Sequence, residues 1–219
     1  GVTGSTNGQG SAATFNHPNG VGLDSSGNVY VADQLNHLIR KIDSSGNVTT
    51  LAGTGTSGYE DEGDTDASFN MPTDVAVDSS GNVYVADYRN HLIRNIDSSG
   101  NVTTLAGQAG VTGSTNGLGS TAFFNKPNGV AVDSNGNVYV ADMYNHLIRK
   151  LTKASSSSSS NNDNHTYQEI FRGDTQHTVT EGTNALNLRL SPLLDDRELT
   201  VPRITRINRP FQMVASTSD

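Results

Sequence analysis

Apolar residues in this chain come in short runs separated by polar, glycine-bearing turns. In the middle of the chain the runs fall at residues 75–78, 83–87, 92–97 and 102–106. Val-Tyr-Val-Ala and Val-Ala-Val are apolar at consecutive positions, the pattern of strands covered on both faces. The fourth run, Val-Thr-Thr-Leu-Ala, is more polar and reads as an outer strand. Ser79-Ser80-Gly81-Asn82 joins the first two runs, and Ser98-Ser99-Gly100-Asn101 joins the last two. Both are hairpin turns in which glycine supplies φ > 0 without a Cβ clash.

The whole pattern recurs. Gly-Asn-Val-Tyr-Val-Ala-Asp, two free positions and Asn-His-Leu-Ile-Arg occur at 27–40, 81–94 and 136–149. The period is about 55 residues, the spacing of propellers and solenoids. Residues 24–53 match 78–107 except at Gln34/Tyr88, Leu35/Arg89 and Lys41/Asn95. Residues 1–16 return almost unchanged at 110–125, so the chain opens inside a loop that elsewhere joins repeats; either a repeat stood upstream or the loop is an N-terminal arm. Four antiparallel strands stacked face to face with their neighbours are propeller blades. The expected fold class is therefore all-β: a partial β-propeller of three four-stranded blades over residues 1–153, with repeats at 17–70, 71–125 and 126–151. The third repeat lacks the fourth run. A Ser/Asn-rich linker follows at 154–164, with O-glycosylation as a second reading of its serines. Residues 165–219 are expected to form a small β-rich extension, with strand-like runs at 166–171, 177–180, 185–190 and 199–207.

Composition narrows the function. The net charge is −8 and there is no basic run, which disfavours a nucleic-acid partner. The absence of cysteine removes disulfides, thiolate metal sites and Cys nucleophiles. No apolar run approaches the ~20 residues of a membrane span. The chain begins at Gly1 and shows no signal peptide, as expected of a processed chain or a fragment.

The repeated Asn-His-Leu, preceded by Val-Tyr-Val-Ala-Asp and followed by Ile-Arg, resembles the NHL-repeat family over about residues 1–151. The resemblance implies β-propellers, most often six-bladed, that act as scaffolds for protein or other contacts. Some related propellers bind RNA, and some are metal-dependent lyases. The acidic balance weighs against the first, and the second needs pocket ligands that differ between blades. Three blades do not close a ring, since propellers use about 4–8. The two end faces should fit each other head to tail, closing as a two-chain ring or propagating as a filament. A strand from the C-terminal extension, in cis or from a neighbour, could complete the third blade.

The candidate sites each have a structural reading. His37, His91 and His146 recur once per blade, which favours a structural role over zinc. Asn36, Asn90 and Asn145 belong to the same motif. Asp33/Arg40, Asp87/Arg94 and Asp142/Arg149 are expected to form hydrogen-bonded ion pairs within the blades. Glu60, Asp61, Asp64 and Asp66 cluster around Gly63, a composition that suits calcium, the one candidate cofactor; a solvated acidic loop is the alternative. Asn47, Asn101 and Asn164 stand in N-glycosylation sequons. Asp195 and Asp196, beside Arg197 and Glu198, read as a charged turn. No serine-nucleophile elbow, phosphate loop or His-Glu-x-x-His motif occurs. The expectation is a non-enzymatic, extracellular or cell-surface interaction module that binds protein, itself included. A self-assembling structural subunit and a propeller lyase or hydrolase are the alternatives.

Overall fold

The computed structural model describes residues 1–63, 65–153, 165–172, 179–181 and 184–186. The serine tract, Asn164, Asp64, the expected strand over 199–207 and the acidic turn at 195–198 lie outside the described residues. Three antiparallel sheets follow the repeats. The first contains β1 (Gly8–Gln9), β2 (Pro18–Leu23), β3 (Val29–Asp33), β4 (Leu38–Ile42) and β5 (Asn47–Ala52), in the order β1-β5-β4-β3-β2. The second holds β6 (Pro72–Val77), β7 (Val83–Asp87), β8 (Leu92–Ile96) and β9 (Val102–Ala106) in sequence order. The third holds β10 (Pro127–Val132), β11 (Val138–Asp142), β12 (Leu147–Lys153) and β13 (His165–Arg172). A separate hairpin pairs β14 (Val179–Glu181) with β15 (Asn184–Leu186).

The outer edge of the third blade, which lacks the repeated fourth run, is thus occupied from the same chain. β13 runs antiparallel to β12, with Leu151 opposite Tyr167 and Lys150 opposite Gln168. Backbone pairing asks only for an extended partner, so a strand unrelated to Asn-Val-Thr-Thr-Leu fills the place.

Each inner hairpin turns on an aspartate. Asp24 Oδ1 accepts the N–H groups of Ser26 and Asn28 at 2.9 Å each, and Asp78 and Asp133 repeat the arrangement. The turn then needs a left-handed residue, and Gly27, Gly81 and Gly136 supply it at φ 84°, 85° and 80°. The Tyr30 hydroxyl donates to Asp24 Oδ2 at 3.1 Å; burial and that carboxylate push the phenol up to about 12.

The blades stack through alternate residues of the same strands. Tyr30, Ala32 and Ile39 of the first blade pack with Val75, Val83, Val85 and Ile96 of the second. Tyr84 and Ile93 of the second pack with Val138, Val140 and Leu151 of the third. Both faces of the consecutive apolar runs are therefore covered wherever a neighbouring blade exists. The loop before each repeat belongs with the blade that follows it: β1 pairs with β5, and Gly63 bridges Asn101 beside β9.

Candidate functional site at the rim of the blades

The Asp-Asn-Arg residues of the repeat form one buried cluster per blade. Asp33 Oδ1 accepts the N–H of Asn16 at 2.7 Å, while Oδ2 accepts Asn36 Nδ2 at 2.8 Å and Arg40 Nη1 at 2.9 Å. Asp87 receives Asn70, Asn90 and Arg94 at 2.8, 2.7 and 3.1 Å. Asp142 receives Asn125, Asn145 and Arg149 at 2.8, 2.7 and 3.0 Å. Burial pushes the Asp87 carboxyl up to about 6 against the opposing pull of Arg94 and the two asparagines. Each arginine also lies over a phenylalanine ring, Phe15, Phe69 or Phe124, with 4.7–5.1 Å to the centroid. The same Nη1 also donates to a carbonyl of the preceding loop, that of Thr14, Ser68 or Phe123. This arginine is a clamp that folds the loop onto the blade, and a buried, hydrogen-bonded ion pair of this kind is no acid–base couple.

The histidines act between blades. A short 3₁₀ turn, 34–36, 88–90 or 143–145, follows that aspartate, and the next residue is left-handed: His37, His91 and His146 stand at φ 56°, 61° and 56°. His37 Nδ1 accepts the N–H of Met71 at 3.1 Å, and His91 Nδ1 accepts that of Lys126 at 3.0 Å. Burial lowers both pKa values, helped by Arg89 at His37 and by Lys126 at His91. The imidazoles of His37 and His91 are locks to the next blade. Among the described residues, no group of three or more His, Cys, Asp or Glu is placed to hold a metal.

The acidic loop also has a structural job. Asp61 Oδ1 accepts Arg94 Nη2 at 2.6 Å and Nε at 3.1 Å, and its Oδ2 accepts the N–H of Thr104 at 2.9 Å. Asn7 and Asn116 take the same place beside Arg40 and Arg149. The calcium set expected at Glu60, Asp61, Asp64 and Asp66 therefore loses Asp61 to the clamp, and the Glu60 carbonyl also accepts Arg94. Glu60 and Asp66 are exposed. Of the sequon residues, Asn47 and Asn101 are exposed at the starts of outer strands, and Asn101 Nδ2 donates to Asp97.

Between the first residue of each repeat and its motif arginine (17–40, 71–94 and 126–149), three positions carry a different residue in every blade: His17/Met71/Lys126, Gln34/Tyr88/Met143 and Leu35/Arg89/Tyr144. They lie together. Leu35, Arg89 and Tyr144 donate their backbone N–H to the carbonyls of Asn16, Asn70 and Asn125, one residue before the first variable position. Lys126 Nζ sits 4.2 Å from the Tyr144 ring centroid and 5.8 Å from that of Tyr88, linking two blades. Leu35, Arg89, Met143 and Tyr144 are exposed. The two Gln34/Tyr88 and Leu35/Arg89 differences were visible in the repeat comparison, but their spatial convergence with residues 17, 71 and 126 was not.

The NHL repeat model matches residues 15–42, 69–94 and 124–151. Human NHL repeat-containing protein 2 is 41% identical over 98 residues, 43% of this chain and 14% of that protein. The Caenorhabditis elegans probable peptidyl-alpha-hydroxyglycine alpha-amidating lyase pgal-1 is 36% identical over 93 residues, 42% of this chain and 25% of that one. A solved Bacteroides thetaiotaomicron protein of unknown function superposes with a TM-score of 0.54 and 25% identity, covering 65% of this chain and 33% of its own. The chain thus spans a quarter or less of these two relatives' length. The lyase corrects the expectation of a non-enzymatic module. The repeat frame is shared with a protein named as an enzyme, so a lack of catalytic motifs within that frame does not exclude catalysis.

Proposed function

This chain belongs to the NHL-repeat family of β-propellers, and from that premise we propose that it is a recognition module that binds a protein segment across the rim. One observation carries the reading: within the stretch from the start of each repeat to its motif arginine, the three positions that differ in all three blades converge on one surface. That surface presents Tyr, Arg and Met, residue types enriched at binding interfaces, with Tyr and Arg also enriched at their hot spots. Arg89 and Lys126 give it cationic groups on a chain of net charge −8, so the bound segment combines acidic and apolar side chains. The test is selection of peptides from a displayed library on the immobilised protein, followed by titration of the best binder. Arg89→Ala with Tyr144→Ala should weaken it by about 100-fold, whereas Ser44→Arg in a hairpin turn should leave it unchanged. Equal binding by all three proteins would refute the reading.

A second reading, catalysis, is supported by the lyase relative and by Asp74. Asp74 replaces Gly20 and Gly129 of the other blades, and burial raises its carboxyl pKa against the N–H groups of Val130 and Val75. It is a blade-specific acid on an inner strand, as a propeller enzyme requires. Turnover of a peptidyl-α-hydroxyglycine, with and without divalent metal, that disappears in Asp74→Asn would support it. No turnover under either condition would remove it.

A further inference from the structure

The rim stands on backbone that the histidines of the preceding blade hold in place. Met71 and Lys126 lie in the left-handed region at φ 54°, a conformation that residues with a Cβ seldom adopt. In each case the N–H crosses the blade contact to an imidazole, from Met71 to His37 Nδ1 at 3.1 Å and from Lys126 to His91 Nδ1 at 3.0 Å. The residue just before each one is tied to the rim as well, since the carbonyls of Asn70 and Asn125 accept the N–H groups of Arg89 and Tyr144. The Lys126 ammonium then lies 4.2 Å from the Tyr144 ring centroid and 5.8 Å from that of Tyr88. A backbone shift at Lys126 would therefore disturb rim side chains on two blades.

The lock depends on the charge of the ring. A neutral imidazole accepts at Nδ1 while its proton is on Nε2, and an imidazolium donates from both nitrogens. Protonation turns the acceptor into a donor facing another donor, and the bond that holds the left-handed residue is lost. Burial resists that protonation most; of the charged groups facing the rings, Arg89 at His37 and Lys126 at His91 resist it too, while Asp142 at His91 favours it. Asp142 is itself held by Arg149 and Asn145. Asp33 and Asp87, which precede the two turns, are held by Arg40 and Arg94. Two other groups near the rim also titrate. Asp87 accepts the N–H of Asn70, and burial pushes its carboxyl up to about 6. His17 has the left-handed place in the first blade, at φ 53°, and its charging would favour an acidic segment, the opposite sense to the locks.

Resting on the recognition reading given above, we propose that His37 and His91 are positioning residues for the rim, neutral while a segment is held and protonated when it is let go, so that acidification releases what the rim binds. They act through the backbone of Met71 and Lys126 rather than by contact with the segment.

Two measurements on the full chain separate the lock from the binding. Amide NMR as pH falls from about 7.5 to about 5 should show the Met71 and Lys126 resonances moving together with the His37 and His91 imidazoles, while the buried strand residues Val85 and Val140 keep theirs. A peptide selected at neutral pH should bind about tenfold more weakly at the lower pH, where its own carboxylates stay largely ionised. In His37→Asn with His91→Asn, uncharged and compatible with a left-handed backbone, the difference should shrink to less than about twofold; whatever Asp87 and His17 contribute is unchanged in that variant. Equal wild-type affinity at both pH values, or a pH dependence that the double variant keeps, would overturn the proposal. So would Met71 and Lys126 amides that stay in place while the imidazoles titrate. Absence of any binder at neutral pH is a distinct result, which would refute the recognition reading and the release with it.

Discussion

The arginine clamp makes a prediction that runs in both directions. Arg94 has an acceptor on Nε because position 61 is Asp. The Nε atoms of Arg40 and Arg149, facing Asn7 and Asn116, are buried without a hydrogen-bond partner. In the second blade Asp61 Oδ1 serves both Nη2 and Nε while Oδ2 accepts the Thr104 N–H, a place an asparagine's Nδ2 cannot fill because it only donates; in the other two blades the asparagine oxygen accepts Nη2 and not Nε. Asp61→Asn should therefore lose the Nε bond and the bond from Thr104 N–H. Each such bond contributes roughly 0.5–1.5 kcal/mol. Asp61 is 43% exposed, so screening reduces the ionic part. The expected net cost is about 1 kcal/mol, or about 3 °C in Tm. Asn116→Asp, by contrast, should supply the missing acceptor and stabilise the third blade by about 0.5–1 kcal/mol, with Asn7→Asp doing the same in the first. Urea unfolding followed by circular dichroism suits a chain with no tryptophan. The reasoning is refuted if Asp61→Asn has no cost while Asn116→Asp and Asn7→Asp destabilise.

Other outcomes follow from the same geometry. Ile93→Ala should cost about 2–5 kcal/mol, whereas Ile148→Ala, at a position 41% exposed, should cost much less; thermal melts compare them. Gly20→Ala should be strongly destabilising, because its Cβ would lie 2.5 Å from Asp74 Cα and 2.7 Å from the Thr73 carbonyl; a wild-type melt would contradict the close packing of the inner strands. His91 has a folded pKa below its ordinary 6.5, through burial and Lys126 with Asp142 opposing. Its contribution is complete above pH 6.5 and is lost as pH falls through the folded value. Stability should therefore drop as pH falls below about 6.5, and His91→Asn, uncharged and tolerant of the left-handed backbone, should flatten that slope. Calcium should shift the melting temperature by less than about 1 °C, since Asp61 is already held by Arg94 and Thr104.

The fold was legible because its signals are local and repeated. Consecutive apolar runs, glycine at the third turn position and a 55-residue period follow from strands that must be covered on both faces. The Asp33–Arg40 spacing was legible for the same reason, since both residues lie on adjacent strands of one hairpin. The histidine lock was not, because its partner is a backbone N–H in the next blade and a backbone donor leaves no mark on the sequence. Asp61 was misread as part of a charge cluster. Its alignment with Asn7 and Asn116, one period away on either side, was the signal that it serves the clamp. β13 could not be matched to a repeat because pairing at an edge constrains the backbone and not the side chains.

The central claim is that the repeated residues hold the blades together while recognition belongs to the rim positions that vary. Amide NMR of the 23.1 kDa chain, recorded as a selected peptide is titrated in, tests it most directly. The prediction is that shifts concentrate at residues 16–17, 34–37, 70–71, 88–91, 125–126 and 143–146. Shifts concentrated at the hairpin turns 24–28, 78–82 and 133–137, or along the acidic loop at 60–66, would contradict it.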